Sequence, residues 1–426
     1  MKGLRTLLAR SDRVGPVDAV LAAVTIALIG FSVMMVYSAS VIEATVNHQD
    51  PQYFLKRQAV FAVAGVIAML CISRVDYRKL RPLTYPILGA VIVLMVLSVV
   101  GFGHAGGGAA RWLRLGPIHV QPSEAAKLAL VLWLGYSLDK KQDRVKSFGI
   151  GILPHLIIAG GLMVLCLKQP DFGGAVVLLA LTFTLLFVAG ARMLWLVLVS
   201  MVGAAGGMWL IRTEAYRWER ILARLNMDEH RQDLAYQPFQ SLMSFGSGET
   251  TGLGLGQGFQ VLYLPEAHND FIAAIVGEEL GFIGILCLCT AYLLIVARGV
   301  RAALAVDDDY GAYLAFGISV LLGLQALLNL GVAMVILPTK GLTLPFVSYG
   351  GSSLLVNAAA MGLLLNISRG RAPAANLRVA EPTLRQPEAS AMVTAEASFA
   401  PEGAGAGSSG ARDAESGSTS AVEPAT

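Results

Sequence analysis

Leu264-Pro265-Glu266-Ala267-His268-Asn269-Asp270 runs directly into Phe271-Ile-Ala-Ala-Ile-Val-Gly277-Glu278-Glu279-Leu280-Gly281-Phe282 and on through apolar sequence to Arg298. The run exceeds the ~20 apolar residues that cross a bilayer, so it reads as a membrane span and decides the fold class. Asp270 stands where water meets hydrocarbon. A charge held there is costly and is a functional hypothesis by default. With water on one side and a dry wall on the other, it is placed as a general base for a lipid-linked substrate has to be. The plain alternative is that its carboxylate caps the span, whose N-terminal end is positive. Position alone leaves both readings open.

Composition implies many such spans. Of 426 residues, 55% are hydrophobic and 14% charged, with mean hydropathy +0.63. Soluble domains carry about 25% charged residues, so the chain reads as an all-α polytopic membrane protein. Apolar runs near 17–40, 53–73, 83–101, 123–138, 148–167, 173–190, 193–212, 270–298, 310–336 and 353–368 predict about ten transmembrane helices. The first follows Lys2, Arg5, Arg10 and Arg13 and is too long for a signal-peptide core, so it reads as an uncleaved anchor. The net charge of +3 implies no nucleic acid partner, because the charges sit in loops. Cys71, Cys166, Cys287 and Cys289 fall inside apolar runs and define no disulfide or metal framework.

Short-loop cations set the orientation. Arg74, Arg78, Lys79 and Arg81 share one loop, and Lys140, Lys141, Arg144 and Lys146 another; Arg192, Arg298, Arg301, Arg369 and Arg371 continue the alternation. All lie on one side if residues 1–16 are cytoplasmic. The membrane domain is then 17–370, both termini are cytoplasmic, and stretches 111–127, 168–174, 213–270 and 337–353 face outward. The external loop 213–269, between the seventh and eighth spans, is too long for a passive link. Its first part sets Arg217, Arg220 and Arg224 on one helical face and reads as lying on the membrane surface. Gly252-x-Gly254-x-Gly256-x-Gly258 lacks nucleotide-loop spacing and reads as a flexible hinge. The Gly- and Pro-dense stretch 337–351 suits a re-entrant outer loop lining a cavity. Residues 371–426, rich in Ala, Gly, Ser, Pro and Glu, cannot bury a core and are expected to be disordered.

Several polar residues stand out against this background. Glu124 and Lys127 lie three apart at the outer start of the fourth span. Lysine is disfavoured at a helix N-terminus; it either neutralises Glu124 as an i,i+3 pair or is aimed at an anionic group. Arg111-Trp112-Leu113-Arg114 interleaves cations with apolar residues, as in a loop dipping into lipid headgroups. Asp171, in Lys168-Gln169-Pro170-Asp171-Phe172-Gly173, reads first as the cap of the sixth span. Glu278 and Glu279 read as bonds to a neighbouring helix, and Gln325, Asn329 and Asn357 as polar glue between helices. Ser348 is flanked by no G-x-S-x-G motif, Thr339-Lys340-Gly341 reverses the order of a Lys-Thr-Gly motif, and Ser137-Leu-Asp-Lys140 sits at a cytoplasmic helix end, so no transpeptidase site is present.

Three stretches together resemble the SEDS family of bacterial shape, elongation, division and sporulation proteins. These are Leu264-Pro-Glu-Ala-His-Asn-Asp270 with the following Gly277-Glu-Glu-Leu-Gly281, Gln121-Pro-Ser-Glu-Ala-Ala-Lys127, and Leu337-Pro-Thr-Lys-Gly-Leu-Thr-Leu-Pro-Phe-Val-Ser-Tyr-Gly-Gly-Ser-Ser353. The likeness covers roughly 17 to 370, and the wording at 265–268 and 337–345 is closest to the family's division branch. It implies a peptidoglycan glycosyltransferase that polymerises lipid II, with inversion at the donor carbon. A RodA-like elongation polymerase and a lipid II flippase are the alternatives. The resemblance casts Asp270, Glu124 and Lys127 in the catalytic roles. Arg111, Arg114, Lys168 and Asp171 become candidate substrate contacts, as do His268, Lys340 and Ser348. It further implies a class B penicillin-binding protein and other division proteins as partners, membrane lipids around the chain, and the division septum of the inner membrane as its place. A divalent cation, Mg or Mn, is compatible with the pyrophosphate chemistry; no metal ligands are identified. Asn269 stands where relatives often have Thr, and Gln260-Val261 where many carry Lys.

Overall fold

Each of the ten apolar runs is a helix. The structure, a computed structural model, describes residues 16–106, 109–115, 118–213, 218–219, 222, 226–227, 229–230, 232–338 and 341–369. In chain order come α1 (Ala19–His48), α2 (Tyr53–Ser73), α3 (Thr84–Leu97), β1 (Gly103–Gly106), β2 (Ala109–Leu115), β3 (Ile118–Val120), α4 (Pro122–Lys140), α5 (Leu153–Lys168), α6 (Phe172–Val188) and α7 (Met193–Thr213). A short α8 (Tyr236–Gly248) precedes α9 (Ile272–Ala305), α10 (Asp309–Ala333) and α11 (Gly351–Ser368). Among the described residues seven helices are long and apolar enough to cross a membrane, and α6 and most of α7 are shorter apolar helices. The Arg217, Arg220 and Arg224 stripe, Lys340, and the tail expected from 371 onward lie outside the described residues.

Local chemistry places the helix starts. Asp18 caps α1 by accepting from the N–H groups of Val20 and Leu21, Asp171 caps α6 through Gly174 N–H at 2.8 Å, and Asp308 caps α10 through Gly311 N–H at 3.1 Å. Pro122 opens α4, where its missing N–H has no helical partner to lose. Two buried apolar groups hold the helices together. One joins α1, α2, α9, α10 and α11, and the other gathers α3, α4, α5 and α6.

One cation-rich end of the bundle is tied by hydrogen bonds. Asn366 at the end of α11 accepts from Tyr77 N–H and donates to the Ser73 carbonyl, and Arg298 pairs with Asp18 at 3.3 Å. Asp308 receives the Tyr77 hydroxyl and the guanidiniums of Arg78 and Arg81. Arg81 also pairs with Asp139 at 3.3 Å. The opposite end gathers the motif stretches singled out in the sequence.

Two features differ from the sequence reading. Residues 111–114, expected in a loop dipping into the headgroups, lie on β2 of a three-stranded antiparallel sheet, in the order β1-β2-β3, within 103–120. Within β2, Leu113 is buried and its neighbour Arg114 is exposed, on opposite faces of the strand. The glycine-rich segment 252–258 is no free hinge. Helix α9 is interrupted at Gly281 (φ 64°, ψ −160°), and the segment fills the interruption. Leu253 and Gly254 N–H donate to the carbonyls of Glu278 and Glu279, while Phe282 and Ile283 N–H donate to those of Glu249 and Thr250. A helix broken at membrane depth needs partners for its freed backbone groups; Leu253 and Gly254 of this segment supply two, and Glu249 and Thr250 just before it supply two more.

Candidate active site

Helix α9 does not begin at Asp270. Its first helical residue is Ile272, and Phe271 holds the cap position without a side-chain capping bond. Asp270 lies half-buried in the preceding turn. Its carbonyl accepts from Asn329 Nδ2 at 2.9 Å, and the same Nδ2 donates to the Leu342 carbonyl at 2.6 Å. Stretches 264–271 and 341–350 are thus tied through α10. A second tie runs from Tyr349 N–H to the His268 carbonyl at 2.9 Å.

The Glu124–Lys127 pair closes at 2.8 Å. Both side chains are buried, Lys127 to 1% residual exposure. Gln325, on α10, donates to the other Glu124 oxygen at 3.3 Å. The carboxylate sits in the first turn of α4, where the helix end favours it, and it compensates the cation that the same end disfavours. In this geometry the ammonium faces Glu124 and not the solvent. Gln121 N–H donates to Ser352 Oγ at 3.3 Å, so the start of α4 also touches the start of α11. Asp270, the Glu124–Lys127 pair and the 341–353 segment are gathered at one end of the bundle.

Other candidate contacts divide. Arg114 and Lys168 are exposed. Arg111 lies on β2, with its side chain outside the described residues. Asp171 is the α6 cap, buried to 5%. Ser348 is also structural: its buried Oγ accepts from Leu344 N–H at 2.8 Å and closes a turn. His268 is not a surface contact. Its ring is buried among Phe54 and Tyr349, with centroids 4.5 and 5.4 Å away. Burial pulls its pKa down to about 4, so the ring is neutral at pH 7. Glu43 Oε2 lies 3.4 Å from Nδ1, but that carboxylate is 38% exposed; solvent screening leaves burial dominant.

The two carboxylates inside α9 are engaged. Glu278 accepts from the N–H groups of Phe259 and Gln260 at 2.8 and 3.1 Å. Glu279 accepts from the Ser38 hydroxyl on α1. The expected bond to a neighbouring helix exists for Glu279; Glu278 is held instead by the backbone of residues 259–260. Ser38 and Glu43 carried no sequence signal. Gln325 and Asn329 did: they are polar residues one turn apart in an apolar helix.

Comparison with known proteins places the chain in a family. Residues 18–372 match the family model of FtsW, RodA and SpoVE, described as cell cycle proteins. The chain is 44% identical over 366 residues to a probable peptidoglycan glycosyltransferase FtsW of Trichlorobacter lovleyi, covering 85% of this chain and 96% of that one. It is 39% identical over 354 residues to stage V sporulation protein E of Bacillus subtilis, covering 83% and 97%. A solved peptidoglycan synthase complex that coordinates polymerization and crosslinking contains a chain of the same fold. That match has TM-score 0.66 and 30% identity, over 83% of this chain and 98% of that one. The chain belongs to the FtsW/RodA/SpoVE family, the SEDS proteins, as a mainly helical membrane enzyme of the peptidoglycan glycosyltransferase class.

Proposed function

We propose that the enzyme polymerises lipid II into β-1,4 glycan strands on the outer face of the bacterial inner membrane, during septal wall synthesis. The acceptor GlcNAc C4 hydroxyl attacks C1 of the donor MurNAc. Its proton passes to Asp270, the C1–O bond to the undecaprenyl pyrophosphate breaks, and the configuration at C1 inverts. One displacement of this kind needs a base on the attacking side and positive charge on the leaving side, and no covalent enzyme intermediate. Arg111, Arg114 and Lys127 are assigned to the leaving pyrophosphate, which would compete with Glu124 for the Lys127 ammonium. A Mg or Mn ion would supplement that charge; among the described residues no group of three or more metal-binding side chains is present, so no step is assigned to it. A class B penicillin-binding protein is the proposed cross-linking partner, and the termini are assigned to the cytoplasm by the positive-inside rule.

The observation that carries this reading is the half-buried Asp270, held by its backbone to α10 at the end where the family's three motifs meet. A transporter reading would use the carboxylates deeper in α9, but Glu278 is bonded to the N–H groups of Phe259 and Gln260, and Glu279 to the Ser38 hydroxyl on α1. The test is incubation of the purified protein with labelled lipid II, with and without the transpeptidase partner. Polymer from wild type and none from Asp270→Asn, inserted normally, is the expected result. Polymer at wild-type rate from the variant would remove Asp270 as the base.

A further inference from the structure

Asn329 and Gln325 lie on the same face of α10, four residues or ~6 Å apart along the helix. Each serves a different part of the site: Gln325 Nε2 donates to the Glu124 carboxylate, and Asn329 Nδ2 to the backbone carbonyls of Asp270 and Leu342. These partners fix both amide orientations, because only an N–H can face a carboxylate or a carbonyl. The arrangement carries a penalty. Asn329 Oδ1 and Gln325 Oε1 are buried without a hydrogen-bond partner among the described residues. A buried orphan acceptor costs about 1–3 kcal/mol, which an apolar residue at either position would avoid. What an apolar residue would not supply is the donor to two backbone carbonyls from separate loops. Neither loop is anchored by helical hydrogen bonding at that point: Asp270 precedes α9 and Leu342 lies between α10 and α11.

The geometry points to Asn329 as a positioning residue for the glycosyl transfer, one that sets where the Asp270 carboxylate stands by holding the Asp270 and Leu342 backbones to α10. This inference rests on the assignment of Asp270 as the base. A donor that places a base acts on the chemical step, since misplacement by ~1 Å can cost about 100-fold in rate. Asn329 acts through the Asp270 backbone, so substrate binding should be little affected.

The experiment compares purified full-length wild type, Asn329→Ser, Asn329→Ala and Asp270→Asn in lipid II polymerisation, measuring kcat and KM separately, with melting temperature alongside. Serine and alanine differ by one hydroxyl donor at nearly equal volume. Alanine is expected to lower kcat about 10- to 100-fold with KM within about twofold, and serine to restore most of the loss. Equal kcat for serine and alanine, wild-type kcat for alanine, or a change confined to KM would each overturn the inference. If alanine does not yield folded protein, Asn329→Asp, which keeps the shape and lacks the donor, replaces it against serine. Asp270→Asn at wild-type rate would instead overturn the base assignment, whereas an inactive Asp270→Asn with a donor-independent Asn329 series would overturn positioning alone.

Discussion

At Lys127 the balance is between a buried cation and its single buried counter-charge, 2.8 Å away. Removing either partner strands the other, and a broken buried pair costs about 3–5 kcal/mol. Glu124→Gln and Lys127→Met should each lower the thermal stability of the detergent-solubilised protein, and the double variant should lose less than the sum of the two. Strictly additive losses would mean that the pair is not coupled. His268 makes a different prediction. Its folded pKa, pulled to about 4 by burial, lies below the unfolded value of about 6.5. The unfolded chain therefore binds the extra proton first, and stability falls as pH drops from about 6.5 to 4, by ~3 kcal/mol at most. His268→Gln should flatten that part of the melting-temperature profile. An unchanged pH slope in the variant would show that His268 is not the group that titrates there.

Among the elements, α9 shows most directly what sequence conveys and what it hides. Its apolar length, its Asp270 entry and its paired glutamates are all readable from the chain. Its break is not, because Gly281 resembles any other helix glycine until a second segment is seen to occupy the gap. A Cβ at Gly281 would meet Gly252 N and lie 2.7 Å from the Thr250 carbonyl carbon, on a backbone of positive φ. Gly281→Ala should therefore displace residues 249–254 and destabilise the protein by more than the ~1 kcal/mol of an ordinary helix glycine change. Faster amide exchange in 249–260 and 272–283 would report it; unchanged exchange would refute the close packing. The same limit explains the sheet at 103–120: the seven residues of β2, Ala109–Leu115, carry no clean alternation and are too short to announce a strand beside so strong a helical signal. It also explains why Asn329 reads as glue. Spacing places a polar side chain on a face, but the two carbonyls it serves come from loops whose paths depend on the whole fold. The gathering of the motifs at one end of the bundle, by contrast, is legible, because the alternation of spans leaves little choice of end.

Across the whole molecule the two ends have different tasks. The motif end holds the groups assigned to chemistry, and the cation-rich end locks helices together. Asp308 is central to the lock. Burial pushes its pKa up, but the Tyr77 hydroxyl, the Gly311 N–H and Arg78 outweigh that and hold it below the ordinary carboxylate value. Its stabilisation is thus fully present above about pH 4 and is lost as pH falls through the lowered folded pKa. Asp308→Asn keeps the shape but removes the charge that Arg78 and Arg81 face, so it should lower the melting temperature at pH 7. Because Asp308 shares no contact with Asp270, Glu124 or Lys127, kcat and KM of the folded fraction should stay at wild-type values. The same separation predicts that truncation after Arg371 leaves lipid II polymerisation in detergent unchanged, since the removed composition offers no core. If either change lowered kcat in well-folded protein, the two ends would be energetically coupled through the helices, and the cation-rich face would belong to the catalytic cycle as well as to the scaffold.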